Sequence, residues 1–79
     1  MNSKAVAVVT GASRGIGEAT ALAFAKAGHH VTIVARTGDA LQKLAKRIEA
    51  IGSEVLTCTG DLTDLDFARS AIDQTVKRW

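Results

Sequence analysis

Proline and tyrosine are both missing from this 79-residue sequence, and cysteine and tryptophan occur once each. A lone cysteine, Cys58, excludes an internal disulfide, and no His/Cys group has the spacing of zinc ligands, so no metal site is expected. Set in an apolar run, Cys58 reads as a small buried hydrophobe, compatible with a reducing compartment. With no proline and no low-complexity segment, no linker is marked, and residues 1–79 are expected to form one domain at most. A chain this short buries only about 60–65% of the surface its unfolded form exposes. No apolar run approaches the roughly 20 residues needed to span a bilayer. Met1-Asn2-Ser3-Lys4 leads straight into an apolar run, leaving no room for a signal peptide. A cytoplasmic protein with no membrane partner is the expectation. The formal net charge of +2, the three aromatics and the absence of a basic run give nucleic-acid binding no footing. Lys43, Lys46 and Arg47, interspersed with Glu49 and apolar positions, read as a solvated helix face. Lys77 and Arg78 read as cations at a helix end.

What is present is an alternation of short β-branched runs with longer amphipathic ones. A first strand is expected over Ala5–Thr10 and a first helix over Gly15–Ala27, with Ile16, Ala19, Thr20, Ala23, Phe24 and Ala27 on one face. Gly28 stops that helix, and His29 and His30 fill a surface turn. A second strand covers Val31–Ala35. Asp39 caps a second helix over Ala40–Ile51 that buries Leu41, Leu44, Ala45 and Ile48 and stops at Gly52. A third strand follows over Glu54–Cys58. Thr63 as N-cap, with Asp66 three positions on, starts a third helix that runs through Ala68, Ile72 and Val76 to Trp79.

The fold class is therefore α/β: a βαβαβα half of a Rossmann-type, doubly wound parallel sheet, in strand order 3-2-1 with helices on both faces. In such a sheet the first strand is central, flanked by a fourth strand that this sequence lacks. Ala5–Thr10 would then be an apolar edge. The unit reads as incomplete, cut off before the fourth strand.

Between the first strand and first helix stands Thr10-Gly11-Ala12-Ser13-Arg14-Gly15-Ile16-Gly17. A glycine-rich turn at a helix start suits a phosphate, because the first N–H groups are unpaired and the helix dipole favours negative charge. The spacing Gly11-x-x-x-Gly15-x-Gly17 differs from the common G-x-G-x-x-G, but its physical tasks are similar. Gly11 allows the sharp exit from the strand, Gly15 the approach of a pyrophosphate, and Gly17 close packing of helix on sheet.

These residues resemble the short-chain dehydrogenase/reductase family, whose glycine motif reads Thr-Gly-x-x-x-Gly-(Ile or Leu)-Gly. Within it they are most similar to ketoreductases of the 3-oxoacyl-acyl-carrier-protein reductase type. The likeness runs along the whole chain and includes Asp61-Leu62 after the third strand, a pair that contacts the cofactor adenine in the family. By the same resemblance Ser13, Arg14 and Ile16 belong to the phosphate turn. An NAD site needs a carboxylate near the end of the second strand, yet no Asp or Glu occurs from Val31 to Gly38. Arg36 stands there, followed by Thr37. Its guanidinium suits a 2′-phosphate, which Arg14 could approach from the turn, so the cofactor expected is NADP(H).

The family moves a hydride between the nicotinamide and a small-molecule carbonyl or alcohol. A tyrosine acts as general acid/base, a lysine lowers its pKa, and a serine orients the substrate. With no tyrosine there is no Tyr-x-x-x-Lys pair, and none of Ser3, Ser13, Ser53 or Ser70 has the context of that serine. No residue here is assigned as catalytic. The preferred reading is the cofactor-binding N-terminal portion of an NADP-dependent reductase, whose substrate is open and whose complete form is free to self-associate. The alternatives are a stand-alone nucleotide-binding or regulatory module, and a non-functional assembly fragment.

Overall fold

Val6-Ala7-Val8-Val9-Thr10 has the β-branched content of a strand enclosed on both sides, and it forms β1 (Val6–Thr10). The computed structural model describes residues 5–12 and 15–79. After β1 come α1 (Gly15–Lys26), β2 (His30–Ala35), α2 (Gly38–Ile51), β3 (Val55–Thr59) and α3 (Leu65–Arg78). The strands make one parallel sheet in the order β1-β2-β3, with Val6 opposite His30 and Val31 opposite Val55. The expected βαβαβα unit and strand order are present.

Side chains alternate across the sheet, so its two faces serve two cores. Val9, Val31, Ile33 and Ala35 meet Ala21 and Ala25 of α1 and Leu41, Leu44, Ala45 and Ile48 of α2. On the opposite face Val34 and Cys58 meet Ala71 of α3, with Leu56 and Phe67 at the margin. Cys58 is buried, as expected, and burial pushes its thiol pKa up. β2 lies between the other strands and is buried from Val31 to Ala35. β1 pairs only with β2 among the described residues, and its Val6 and Val8 are exposed.

Several expectations fail for identifiable reasons. α1 buries Ala21 and Ala25, with Leu22 against the core, while Ile16, Ala19, Ala23, Phe24 and Ala27 are exposed and Thr20 is half-buried. Apolar residues surround this helix, so periodicity does not fix its rotation. The small residues Gly17, Ala21 and Ala25, one turn apart, fix it by letting α1 sit close to the sheet. His30 is not in a turn. Its N–H donates to the Ala5 carbonyl, which draws it into β2, and its ring stacks on Trp79 at 4.9 Å between centroids.

Thr37, not Asp39, occupies the N-cap of α2, and Asp39 lies in its first turn. Asp64, not Thr63, caps α3: its carboxylate accepts N–H bonds from Asp66 at 2.9 Å and Phe67 at 3.3 Å. Asp precedes Leu65 directly, so its oxygen reaches the first free N–H groups of the turn. Trp79 forms the C-cap of α3. β3 starts and ends one residue later than expected. The solvated face of α2 is there, with Arg47 reaching Glu18 of α1 at 2.9 Å.

Candidate functional site

In a parallel sheet whose strands all run one way, the loops leaving the strand C-termini converge at one end, where ligands of open α/β sheets bind. Here those loops enclose a cleft of about 610 Å³ lined by Gly11, Val34–Thr37 and Gly60–Thr63. Backbone bonds lace its rim together. Ala12 N–H donates to the Val34 carbonyl at 3.1 Å, and Gly60 N–H to the Ala35 carbonyl at 3.0 Å. Each carries the sheet ladder one step past the strands, which holds all three loops at a fixed spacing.

The glycine turn is built as its spacing requires. Gly11 and Gly15 have φ of 63° and 64°, in the left-handed region that a side chain disfavours. Gly17 answers a different demand. A Cβ there would overlap the Gly11 carbonyl oxygen and stand 2.8 Å from its carbon, so α1 begins hard against the exit of β1. In the third loop a Cβ on Gly60 would lie 2.5–2.7 Å from atoms of the Phe67 side-chain ring.

Arg36 leaves β2 at the cleft rim with its side chain 74% exposed, and its Nη2 donates to Asp61 Oδ1 at 3.3 Å. The same Oδ1 accepts the N–H of Thr63 at 2.9 Å. Hydrogen bonds from the Thr63 backbone and side chain, followed by the Arg36 charge, hold the Asp61 carboxyl below the usual aspartate range. Leu62 turns an apolar side chain to the surface beside them.

Of the residues singled out in the sequence, Gly11, Arg36, Thr37, Asp61 and Leu62 line this one cleft. Gly17 packs on Gly11, and Gly15 and Ile16 open α1 beside it with Ile16 87% exposed. Ser13 and Arg14 lie outside the described residues. Val34, Ala35, Gly60 and Thr63 also line the cleft and were not anticipated. A glycine directly after a strand and before an acidic residue was the available signal for Gly60. No helix among the described residues is long and apolar enough to cross a membrane.

Residues 5–79 match the family model of short chain dehydrogenases. Glycine betaine reductase ATRR of Emericella nidulans is 54% identical over 59 residues, which are 75% of this chain and 5% of that protein. The 11-beta-hydroxysteroid dehydrogenase A of Sesamum indicum is 39% identical over 75 residues, 94% of this chain and 22% of that one. An alcohol dehydrogenase from the archaeon Thermococcus sibiricus, solved with 5-hydroxy-NADP, superposes with a TM-score of 0.90 at 36% identity. It matches 98% of this chain with 33% of its own. The chain thus spans a third or less of the length of each of these proteins. With its family match covering the sheet, the helices and the glycine turn together, the chain belongs to the short-chain dehydrogenase family.

Proposed function

We propose that the cleft binds NADP(H) and that the chain is the cofactor-binding portion of an NADP-dependent reductase of the ketoreductase type. The residues suit the parts of a dinucleotide. Gly11 and Gly15 leave room for a pyrophosphate beside the first N–H groups of α1, and Gly17 lets that helix start against the exit of β1. Gly60, Asp61 and Leu62 offer a partly apolar surface for adenine. Arg36 and Thr37 stand at the ribose end, and Ser13, Arg14 and Ile16 belong to the phosphate turn by family resemblance.

One observation carries the choice of NADP over NAD: the rim position after β2 holds Arg36, with no carboxylate from Val31 to Gly38. A guanidinium offers a 2′-phosphate charge-assisted, bidentate hydrogen bonds, whereas ribose hydroxyls call for a carboxylate acceptor. The NADP analogue held by the Thermococcus protein supports a cofactor of this class. When bound, NADPH supplies a hydride, which the complete protein would pass to a small carbonyl substrate or recover from an alcohol. A cytoplasmic setting and self-association of the complete protein belong to the same reading.

Titration of the protein with NADPH and NADH, followed by calorimetry, tests the proposal. NADPH is expected to bind at least tenfold more tightly. Equal affinities, or a preference for NADH, would overturn it.

A further inference from the structure

Ala35 and Thr59 are paired in register, and the Gly60–Ala35 backbone bond holds the chain at the same spacing beyond them. Arg36 follows one of these ends and Asp61 the other, so sequence places a cation and an anion side by side on two laced loops. The anion is the fixed member. Asp61 Oδ1 accepts the Thr63 N–H at 2.9 Å, and the Asp61 carbonyl accepts the Asp64 N–H at 3.0 Å, so the carboxylate is built into a turn. The guanidinium is the movable one. It is exposed and meets only Asp61 among the described residues.

We propose that Asp61 is an internal counter-ion on Arg36 which a 2′-phosphate has to displace or share, so that this carboxylate sets how strongly the site favours phosphorylated dinucleotides. The inference rests on the NADP reading above and assigns Asp61 a part in specificity exerted through Arg36. Two anions on one guanidinium repel each other. Coulomb's law for such charges at a wet surface corresponds to about 3–10-fold in affinity, weakening as salt rises. An aspartate is ionised throughout the neutral range and the Thr63 hydrogen bonds only lower its pKa further, so the competition is always present. An exposed pair of this length contributes little to positioning Arg36, which makes opposition the larger effect.

The probes are adenosine 2′,5′-bisphosphate and 5′-AMP, which differ by the 2′-phosphate and need no turnover. Their affinities are measured by calorimetry for the wild type and for Asp61→Asn, which keeps an oxygen for the Thr63 N–H. The ratio of the two affinities cancels any change in adenine contact. Asp61→Asn is expected to raise the preference for the bisphosphate about 3–10-fold at low salt, with the gain shrinking in high salt. Asp61→Ser, which also keeps an acceptor in the turn, is expected to shift the ratio in the same direction. A wild type that favours the bisphosphate, with the ratio unchanged or lowered in both variants, overturns the role of Asp61 alone. A wild type with no preference for the bisphosphate overturns the NADP reading, and this proposal with it.

Discussion

The hydroxyl oxygens of Thr32 and Thr75 lie 2.8 Å apart in the buried seam where α3 crosses β2. Thr75 donates its own proton to the Ala71 carbonyl at 2.8 Å, so the proton between the two hydroxyls belongs to Thr32. The chain of bonds from Thr32 through Thr75 to Ala71 pins the helix to the central strand. Thr75→Val removes the acceptor and strands the Thr32 hydroxyl away from water, at an expected cost of about 1–3 kcal/mol. The double variant Thr32→Val/Thr75→Val is expected to be more stable than Thr75→Val alone, because no unpaired group remains. Urea unfolding of the four forms measures the coupling, and strictly additive losses would contradict it.

This seam also marks where the sequence stops being informative. The element order is legible because each strand is a β-branched run and glycines 28 and 52 follow the first two helices. Leu41, Leu44, Ala45 and Ile48 are legible as the inner face of α2 because Gln42, Lys43, Lys46, Arg47 and Glu49 occupy the opposite face. α1 offers no such contrast, and its rotation depends on how Gly17 meets Gly11, a contact between segments. The Thr32–Thr75 bond and the His30–Trp79 stack join residues 43 and 49 positions apart in the numbering, so no local pattern announces them. In the cleft, Gly11, Arg36 and Asp61 are legible because each closely follows a strand. Thr63 and Gly60 enter only through a turn closed by Asp61 and a loop packed on Phe67.

Gly17 and Gly38 make a matched pair for testing the glycine turn. Gly17→Ala drives a methyl into the Gly11 backbone, which cannot move without disturbing β1. A loss of about 1–3 kcal/mol is expected, together with weaker NADPH binding. Gly38→Ala meets nothing closer than the Thr59 hydroxyl at 3.7 Å. It is expected to be neutral or to stabilise by up to about 1 kcal/mol, through a less flexible unfolded chain. Denaturant midpoints for both variants make the comparison; similar midpoints would refute the tight contact.

Arg36 is the residue on which cofactor choice turns. Arg36→Asp replaces a donor for phosphate by a carboxylate, the group that accepts from ribose hydroxyls. It also faces Asp61, adding a second repulsive charge at the rim. NADPH affinity is expected to fall by at least tenfold, while NADH affinity changes little or rises. Parallel titrations decide the matter, and equal losses for both cofactors would remove Arg36 from phosphate recognition.

Cys58 is closed off on β3 by Val34 and Ala71, and burial disfavours its thiolate. Since the thiolate is the nucleophile, reaction with an aromatic disulfide reagent is expected to be slow in the native protein. It should become fast in urea, with the rate rising in step with unfolding. Rapid labelling under native conditions would show that the seam between α3 and β3 opens freely.

Asp61 supplies the pH dependence. Its carboxyl is held below the ordinary aspartate value of 3.8, first by the Thr63 backbone hydrogen bond and then by the Thr63 side chain and Arg36. A carboxyl depressed by folding binds fewer protons in the native state than in the unfolded chain between the two values, so stability rises with pH there. The contribution is complete above the unfolded value and vanishes as pH falls through the folded one. Asp61→Asn, which cannot ionise, is expected to be less stable than the wild type near neutral pH. The gap should narrow as pH drops from about 5 towards 2. The group is exposed, so the gap is small and salt-sensitive. Urea midpoints of both proteins across that range give the test: a gap that stays constant, or widens in acid, would rule out the bonds to Thr63 and Arg36 as its source.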